Sequence, residues 1–195
     1  GRQAAEHRRV AIGQLHRRAV QHGQAPQLQQ RAKASGYRLG QVAPGCLMLA
    51  GAVDVQDNRF EVTVWGFGRG EESWVVDHQV LEANPADERD WQKLDSYLCS
   101  RFPQMRHGGG TLGIEAVAID TGGHFTHQVY NFVRAREYRR FFAVRGSNKY
   151  GGQIKGSASR VDVNWRGQVI KAGVKLWEVG TDTAKDLIYG RLRVG

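Results

Sequence analysis

The sequence predicts an α/β fold in which a mixed sheet is flanked by helices, and three observations carry that expectation. Short apolar runs are interleaved with segments of helical periodicity. The first three strand-like runs follow one another through short turns, whereas the later ones are separated by helix-length stretches. Three apolar runs also end in aspartate: LMLAGAVD at Asp54, IEAVAID at Asp120 and LWEVGTD at Asp182.

In chain order, residues 1–35 read as helical and basic. Val10, Ile12, Leu15 and Val20 are thinly spread among Arg8, Arg9, Arg17 and Arg18, an apolar stripe too weak for a core helix. Gly23 and Pro26 interrupt it, and residues 36–45 approach the first strand. Residues 1–43 therefore read as a linker or docking segment, and 44–195 as a domain. CLMLAGAVD is continuously apolar, as expected of a strand buried on both faces. After the turn Gln56-Asp57-Asn58, RFEVTVWGFG alternates, and Gly68-Arg69-Gly70 turns the chain into ESWVVDHQVL. Asn84 and Pro85 open a helix to about residue 101, with Trp91, Leu94, Leu98 and Phe102 at helical spacing. A glycine loop at 107–110 leads to IEAVAID, a helix over 124–138 directs Val129, Phe132 and Val133 inward, and FFAVRG forms a fifth strand. Residues 147–173 read as an inserted loop or hairpin. KLWEVG then delivers the chain to a last helix from about Thr181 to Arg193.

Three meander strands, helix, strand, helix, strand, helix is the element order of a ribonuclease-H-like fold. In that arrangement the first and fourth strands are neighbours, so Asp54 and Asp120 are expected side by side, with Asp182 at the last helix start closing the group.

The 195-residue length fits one domain with a core plus an appendage, and 41% hydrophobic residues with four prolines exclude a disordered chain. No window has the length and apolarity of a membrane span, and no apolar leader opens the chain. Cys46 and Cys99 lie among apolar neighbours without a CxxC, which reads as buried, reduced thiols and agrees with a cytoplasmic setting. The net charge of +9 is unevenly distributed. Residues 1–45 carry eight Arg/Lys against one Glu, 46–133 six basic against thirteen acidic groups, and 134–195 fourteen against five. A basic tract beside an acidic one suits a polyanion gripped on one side and carboxylates collected on another, although a solvated surface would look the same.

Carboxylates gathered at strand ends are what a hard, oxygen-ligated divalent ion requires. Phosphodiester cleavage with two metals needs them to hold ions roughly 4 Å apart, activating a water and steadying the leaving oxygen. Asp54 is the expected bridging ligand because it ends the strand expected to be most buried. A single strand-end Asp is often a turn former, but three in compatible positions are harder to dismiss. Asp120 opens Asp-Thr-Gly-Gly-His, where glycines 122 and 123 leave room for a phosphate; a plain turn capped by Thr121 or Thr126 would read the same way. His124 is a candidate phosphate contact or proton-transfer group. His127 lies one helical turn on, but no further soft ligand accompanies the pair, so zinc is set aside. Asp182 and Asp186 are one turn apart, and Asp182, nearer the strand end, is preferred as third ligand. Lys185 is a candidate phosphate contact. Arg145, Lys149 and Lys155 lie in or beside the glycine-rich basic loop RGSNKYGGQIKG, suited to sequence-independent contact with a nucleic-acid backbone. No GxxxxGK[ST] motif is present, so no P-loop binds ATP.

Four blocks, AGAVDVQDNRFEVTVWGFGRGEESWVVD, AIDTGGHFTHQVY, VRGSNKYG and EVGTDTAKDLIYGRL, resemble in order the nuclease domain of large terminase subunits of tailed bacteriophages, specifically the lambda-like branch. The likeness runs from about residue 44 to the C-terminus; residues 1–43 match only as the linker from a preceding ATPase motor. The resemblance implies a ribonuclease-H-like fold and Mg2+ or Mn2+ as a two-ion cofactor. It also implies double-strand cutting of concatemeric DNA at packaging, in the host cytoplasm at the procapsid. Asp54, Asp120 and Asp182 would be the first, second and third catalytic acids, with Asp186 the alternative third. Implied partners are double-stranded DNA, the motor domain, a small terminase subunit and a portal, with no membrane. Two other readings share the residues: a resolvase- or transposase-type nuclease of the same fold, and a non-catalytic DNA-binding or docking module in which the acids are structural.

Overall fold

The computed structural model describes residues 38–105, 109–147 and 149–194, with side chains of the last helix through residue 190. The predicted helical segment at residues 1–35 lies outside the described residues. Among the described residues, the order begins β1 (Met48–Gln56), β2 (Arg59–Phe67), β3 (Ser73–Glu82), α1 (Glu88–Leu98), β4 (Arg101–Pro103) and β5 (Thr111–Asp120). It continues with α2 (Thr126–Arg134), β6 (Phe141–Gly146), β7 (Lys155–Trp165), β8 (Gln168–Val179) and α3 (Thr181–Val194). The strands form one mixed sheet in the order β3-β2-β1-β5-β6-β8-β7, with β4 pairing the start of β5. The antiparallel meander β1–β3 matches the sequence expectation, as does the pairing of its first strand with IEAVAID in β5; β6 and β8 continue the sheet beside β5 in parallel.

The expectation that β1 is buried on both faces is wrong. Leu49, Val53 and Val55 are buried, whereas Met48, Ala52 and Asp54 alternate with them and are exposed. The cause lies in the helices, because α1 and α2 contribute Trp91, Leu94, Leu98, Val129, Phe132 and Val133 to the same core as Val53 and Val55. Phe60 and Trp91 meet edge to face at 4.8 Å, and Trp91 continues to Phe132 at 4.9 Å. On the opposite face Met48 pairs with Phe67 and Ala50 with Trp65, and Met48, Trp65 and Phe67 are exposed. The run reads as doubly buried because its outward positions Met48, Ala50 and Ala52 are apolar, the alanines being small as well.

Other boundaries also shift. Asp87 caps α1 by accepting from the Arg89 backbone N–H, so the helix begins after Pro85 rather than at it. It ends at Leu98, and Phe102 belongs to β4. Phe102 instead joins a second buried cluster with Val42, Cys46, Leu49, Val64 and Val76. Val42 is held there by backbone bonds to Pro103 and Met105. Cys46 is buried, which pushes its thiol pKa up, but Cys99 at the end of α1 is exposed, contrary to expectation. The helix expected over 124–138 is the shorter α2 followed by a 3-10 turn at Glu137–Arg139, whose exit residue Arg140 takes the left-handed conformation. Residues 155–179 form a long hairpin, so KLWEVG is only the end of the 12-residue strand β8. The last helix falls where expected.

Candidate active site

β1 and β5 run parallel, with Val53 beside Ile119 in register. Both residues are buried against the helices, so the next residue of each strand, Asp54 and Asp120, projects on the open face at the same sheet edge. The two line one cavity of about 380 Å³, together with Val55, Gln56, Asp57, Gly122, Gly123 and His124. Asp54 is exposed, and its Oδ2 accepts from the Gln56 amide at 2.6 Å. Asp120 is half-buried, and its Oδ1 accepts from the Gly122 backbone N–H at 3.1 Å.

The loop after β5 is held on two sides. Thr121 is buried, and both its N–H and its hydroxyl donate to the Val144 carbonyl on β6, at 2.9 and 3.0 Å. Thr126 donates its hydroxyl to the carbonyls of Thr121 and Gly123, and Phe125 occupies the N-cap without a side-chain bond. Neither threonine therefore caps α2; both tie down the loop. Gly123 lies so near β1 that a Cβ would sit 3.2 Å from the Val55 carbonyl oxygen. This close approach to protein backbone is a structural reason for the glycine, separate from room for a phosphate. His124 Nδ1 then meets Asp57 Oδ1 at 2.9 Å, joining the loop to the β1–β2 turn.

A second cavity of about 530 Å³ adjoins the first at Asp120 and Gly122 and is otherwise lined by Arg145, Gly146, Ser147, Lys149 and Glu178. Arg145 Nη2 lies 3.3 Å from Glu178 Oε1. Of the basic candidates, Arg145 and Lys149 thus border the same carboxylate as His124. Lys155 stands at the start of β7, with its ammonium 5.2 Å from the Trp177 ring centroid. Lys185 is exposed on α3 and lines neither cavity. Asp182 lies in the first turn of α3 and Asp186 one turn further, and neither lines the two cavities. Among the described residues, no group of three or more His, Cys, Asp or Glu side chains is assembled to hold a metal.

Sequence reasoning missed Asp57 and Glu178. Asp57 sits in a turn, where Asp is commonplace, and only the fold brings it to His124. Glu178 carried a signal, an acid inside the apolar run LWEVG.

Two carboxylates on adjacent parallel strands, opening onto a basic loop, define an α/β domain with an acidic site at the edge of its sheet. The chain belongs to the family of terminase large subunit gpA endonuclease domains, whose model matches residues 9–195. It is similar to the large terminase subunit of Escherichia phage lambda, at 30% identity over 169 residues, which cover 87% of this chain and 25% of that protein. It is also similar to the large terminase subunit of Enterobacteria phage P21, at 32% identity over 146 residues, 74% of this chain and 21% of that protein. The chain therefore spans about a quarter of the length of these relatives. No solved structure matches it. Among the described residues no helix is long and apolar enough to cross a membrane.

Proposed function

We propose that this chain is the metal-dependent endonuclease domain of a viral DNA-packaging terminase, with a ribonuclease-H-like fold, cutting concatemeric double-stranded DNA. The observation that carries the reading is the juxtaposition of Asp54 and Asp120 on neighbouring parallel strands within one cavity. The strand order β3-β2-β1-β5-β6 supports the ribonuclease-H-like assignment. Family membership supports the nuclease.

The donor set fits a hard divalent ion, because the carboxylates of Asp54 and Asp120 offer oxygen alone. Mg2+ is commonly held by one or two carboxylates with waters and substrate phosphate completing the shell, so two protein ligands suffice for a first ion. When bound, a pair of Mg2+ or Mn2+ ions would supply a water nucleophile at neutral pH and stabilise the leaving oxygen. Asp54 and Asp120 hold the acidic end of the site, and the Gly122 N–H fixes the orientation of Asp120. His124, Arg145 and Lys149 border the cavities and contact the DNA backbone, with Lys155 and Lys185 extending that contact along the chain. Asp182 enters as third acid on its position alone, at the start of the helix that follows β8, with Asp186 as the alternative. Residues 1–43 join this domain to an ATPase motor. The small subunit, the portal and the host cytoplasm at the procapsid complete the setting.

Plasmid cleavage with Mg2+, Mn2+, Ca2+ or EDTA tests the reading on the parent and on Asp54→Asn, Asp120→Asn and Asp182→Asn. Nicking or linearisation only with Mg2+ or Mn2+, falling by roughly a thousandfold or more in the first two variants, is expected. Parent-like cutting by both Asp54→Asn and Asp120→Asn would sink the metal site. Parent-like cutting by Asp182→Asn alone would remove that residue as third ligand.

A further inference from the structure

Tyr150 is 85% exposed, on the turn that follows Lys149 in the wall of the second cavity. A lone exposed aromatic is ordinary. What distinguishes Tyr150 is that the backbone presenting it is fastened on both sides. Before it, Ser147 donates its N–H to the Val179 carbonyl at 2.8 Å, and the Ser147 hydroxyl receives the Lys149 N–H at 3.3 Å. After it, Gly151 takes the left-handed conformation at φ +71°, and the Gly152 N–H returns to the Lys149 carbonyl. The Gly152 carbonyl accepts the Thr183 hydroxyl at 2.6 Å, and Gly180 donates to Ile154 at 3.1 Å. The contact is close enough that a Cβ on Gly180 would lie 2.5 Å from the Gln153 carbonyl oxygen. A tyrosine has few rotatable bonds, and here it stands on a braced turn directly after Lys149, which lines the second cavity together with Arg145 and Asp120.

We propose that Tyr150 is a substrate-contacting residue whose ring stacks on a nucleobase of the DNA next to the scissile phosphate, while Lys149 beside it meets the backbone. The proposal rests on the nuclease reading for its substrate. Base stacking on a protein aromatic is insensitive to sequence, as a domain that grips DNA mainly through its backbone would need. It also links cutting to local opening of the duplex, because a stacked base must leave its neighbour. Tyr138 supplies the control. It is 83% exposed, but it lies ahead of β6, at the edge of the sheet opposite the carboxylates.

The test compares the parent chain with Tyr150→Ala, Tyr150→Phe and Tyr138→Ala, after thermal melting has shown that all four fold alike. Duplex DNA carrying 2-aminopurine is titrated in Ca2+ with anisotropy and fluorescence read together, and cleavage is followed separately in Mg2+. Tyr150→Ala should bind about five- to a hundredfold more weakly and lose the 2-aminopurine change. Tyr150→Phe should keep both, and Tyr138→Ala should match the parent. Parent-like binding and cutting by Tyr150→Ala would overturn the proposal, as would weaker binding with the 2-aminopurine response intact. A parent that binds through Tyr150 but never cuts would remove the nuclease reading and leave the base contact standing. A parent that neither binds nor cuts would remove both.

Discussion

His124 and Asp57 meet at 2.9 Å across the mouth of the cavity that holds Asp54 and Asp120. Their side chains are 84% and 75% exposed, so solvent screens the pair and it adds little to folding stability. Its effect is on shape: it spans the two loops that flank the acids. His124→Ala and Asp57→Asn are therefore expected to leave Tm nearly unchanged while lowering the proposed DNA cleavage by roughly ten- to a hundredfold. Calorimetry together with plasmid cleavage checks this. A large fall in Tm with normal cleavage would assign the pair to stability instead.

Gly180 seats the basic turn against the start of α3, where a methyl group would collide with the Gln153 and Gly152 carbonyl oxygens at 2.5 and 2.8 Å. Backbone cannot retreat as a flexible side chain can. Gly180→Ala should cost about 1–3 kcal/mol and displace residues 149–154. Faster proteolysis within that segment, with weaker DNA binding, is the expected outcome. An unchanged cleavage map would show that the contact relaxes elsewhere.

Arg145 and Lys149 line the same cavity as Asp120, but Arg145 is engaged with Glu178, whereas among the described residues Lys149 makes no ion pair. Lys149→Ala should flatten the dependence of log affinity on log salt by about one unit of slope on every DNA sequence. Glu178→Gln should leave that slope nearly intact, since it removes no cation. Titrations across salt concentrations separate the two; an unaltered slope in Lys149→Ala would take that residue off the DNA surface.

The fold was largely legible in the order of its elements, because glycine-marked turns and a change of apolar period are local signals. The pairing of β1 with β5, and with it the adjacency of Asp54 and Asp120, was expected from the ribonuclease-H-like arrangement whose element order the sequence matches. What escaped the sequence depends on distant partners. Phe102 keeps helical spacing with Leu98 yet lies on a strand, because Cys99 ends α1 and β4 pairs with β5. Ala50 and Ala52 read as core, although their small side chains stand on the open face. Glu178 reached the site only through β8 pairing with β6, which brings it beside Arg145. The position of Asp182 could be read as a helix start, but not that it stays out of the lining of both cavities.

Asp95 on α1 binds Arg136 and Arg139 at 3.0 and 2.7 Å, tying that helix to the segment between α2 and β6. Burial opposes ionisation of this carboxyl, but the hydrogen bonds from both guanidinium groups outweigh it and hold its pKa below the ordinary value. A lowered folded-state pKa means the contribution is full above the unfolded value, about 3.9 for Asp, and fades as pH falls through the folded one. Asp95→Asn should cost about 1–3 kcal/mol at neutral pH, and the gap from the parent should close in acid. Melting curves from pH 7 to pH 2 check it; a constant gap would mean that the carboxylate's charge is not what matters.

Side chains on a strand alternate between its two faces, so shifting β1 or β5 by one residue would turn Asp54 or Asp120 inward among the valines and bring a valine or isoleucine out in its place. Partners this far apart along the chain meet only when the central sheet has closed. A nascent, slipped or half-denatured copy would therefore hold no paired acids. The two carboxylates stand together only in the finished fold, so any chemistry that needs both is confined to that state.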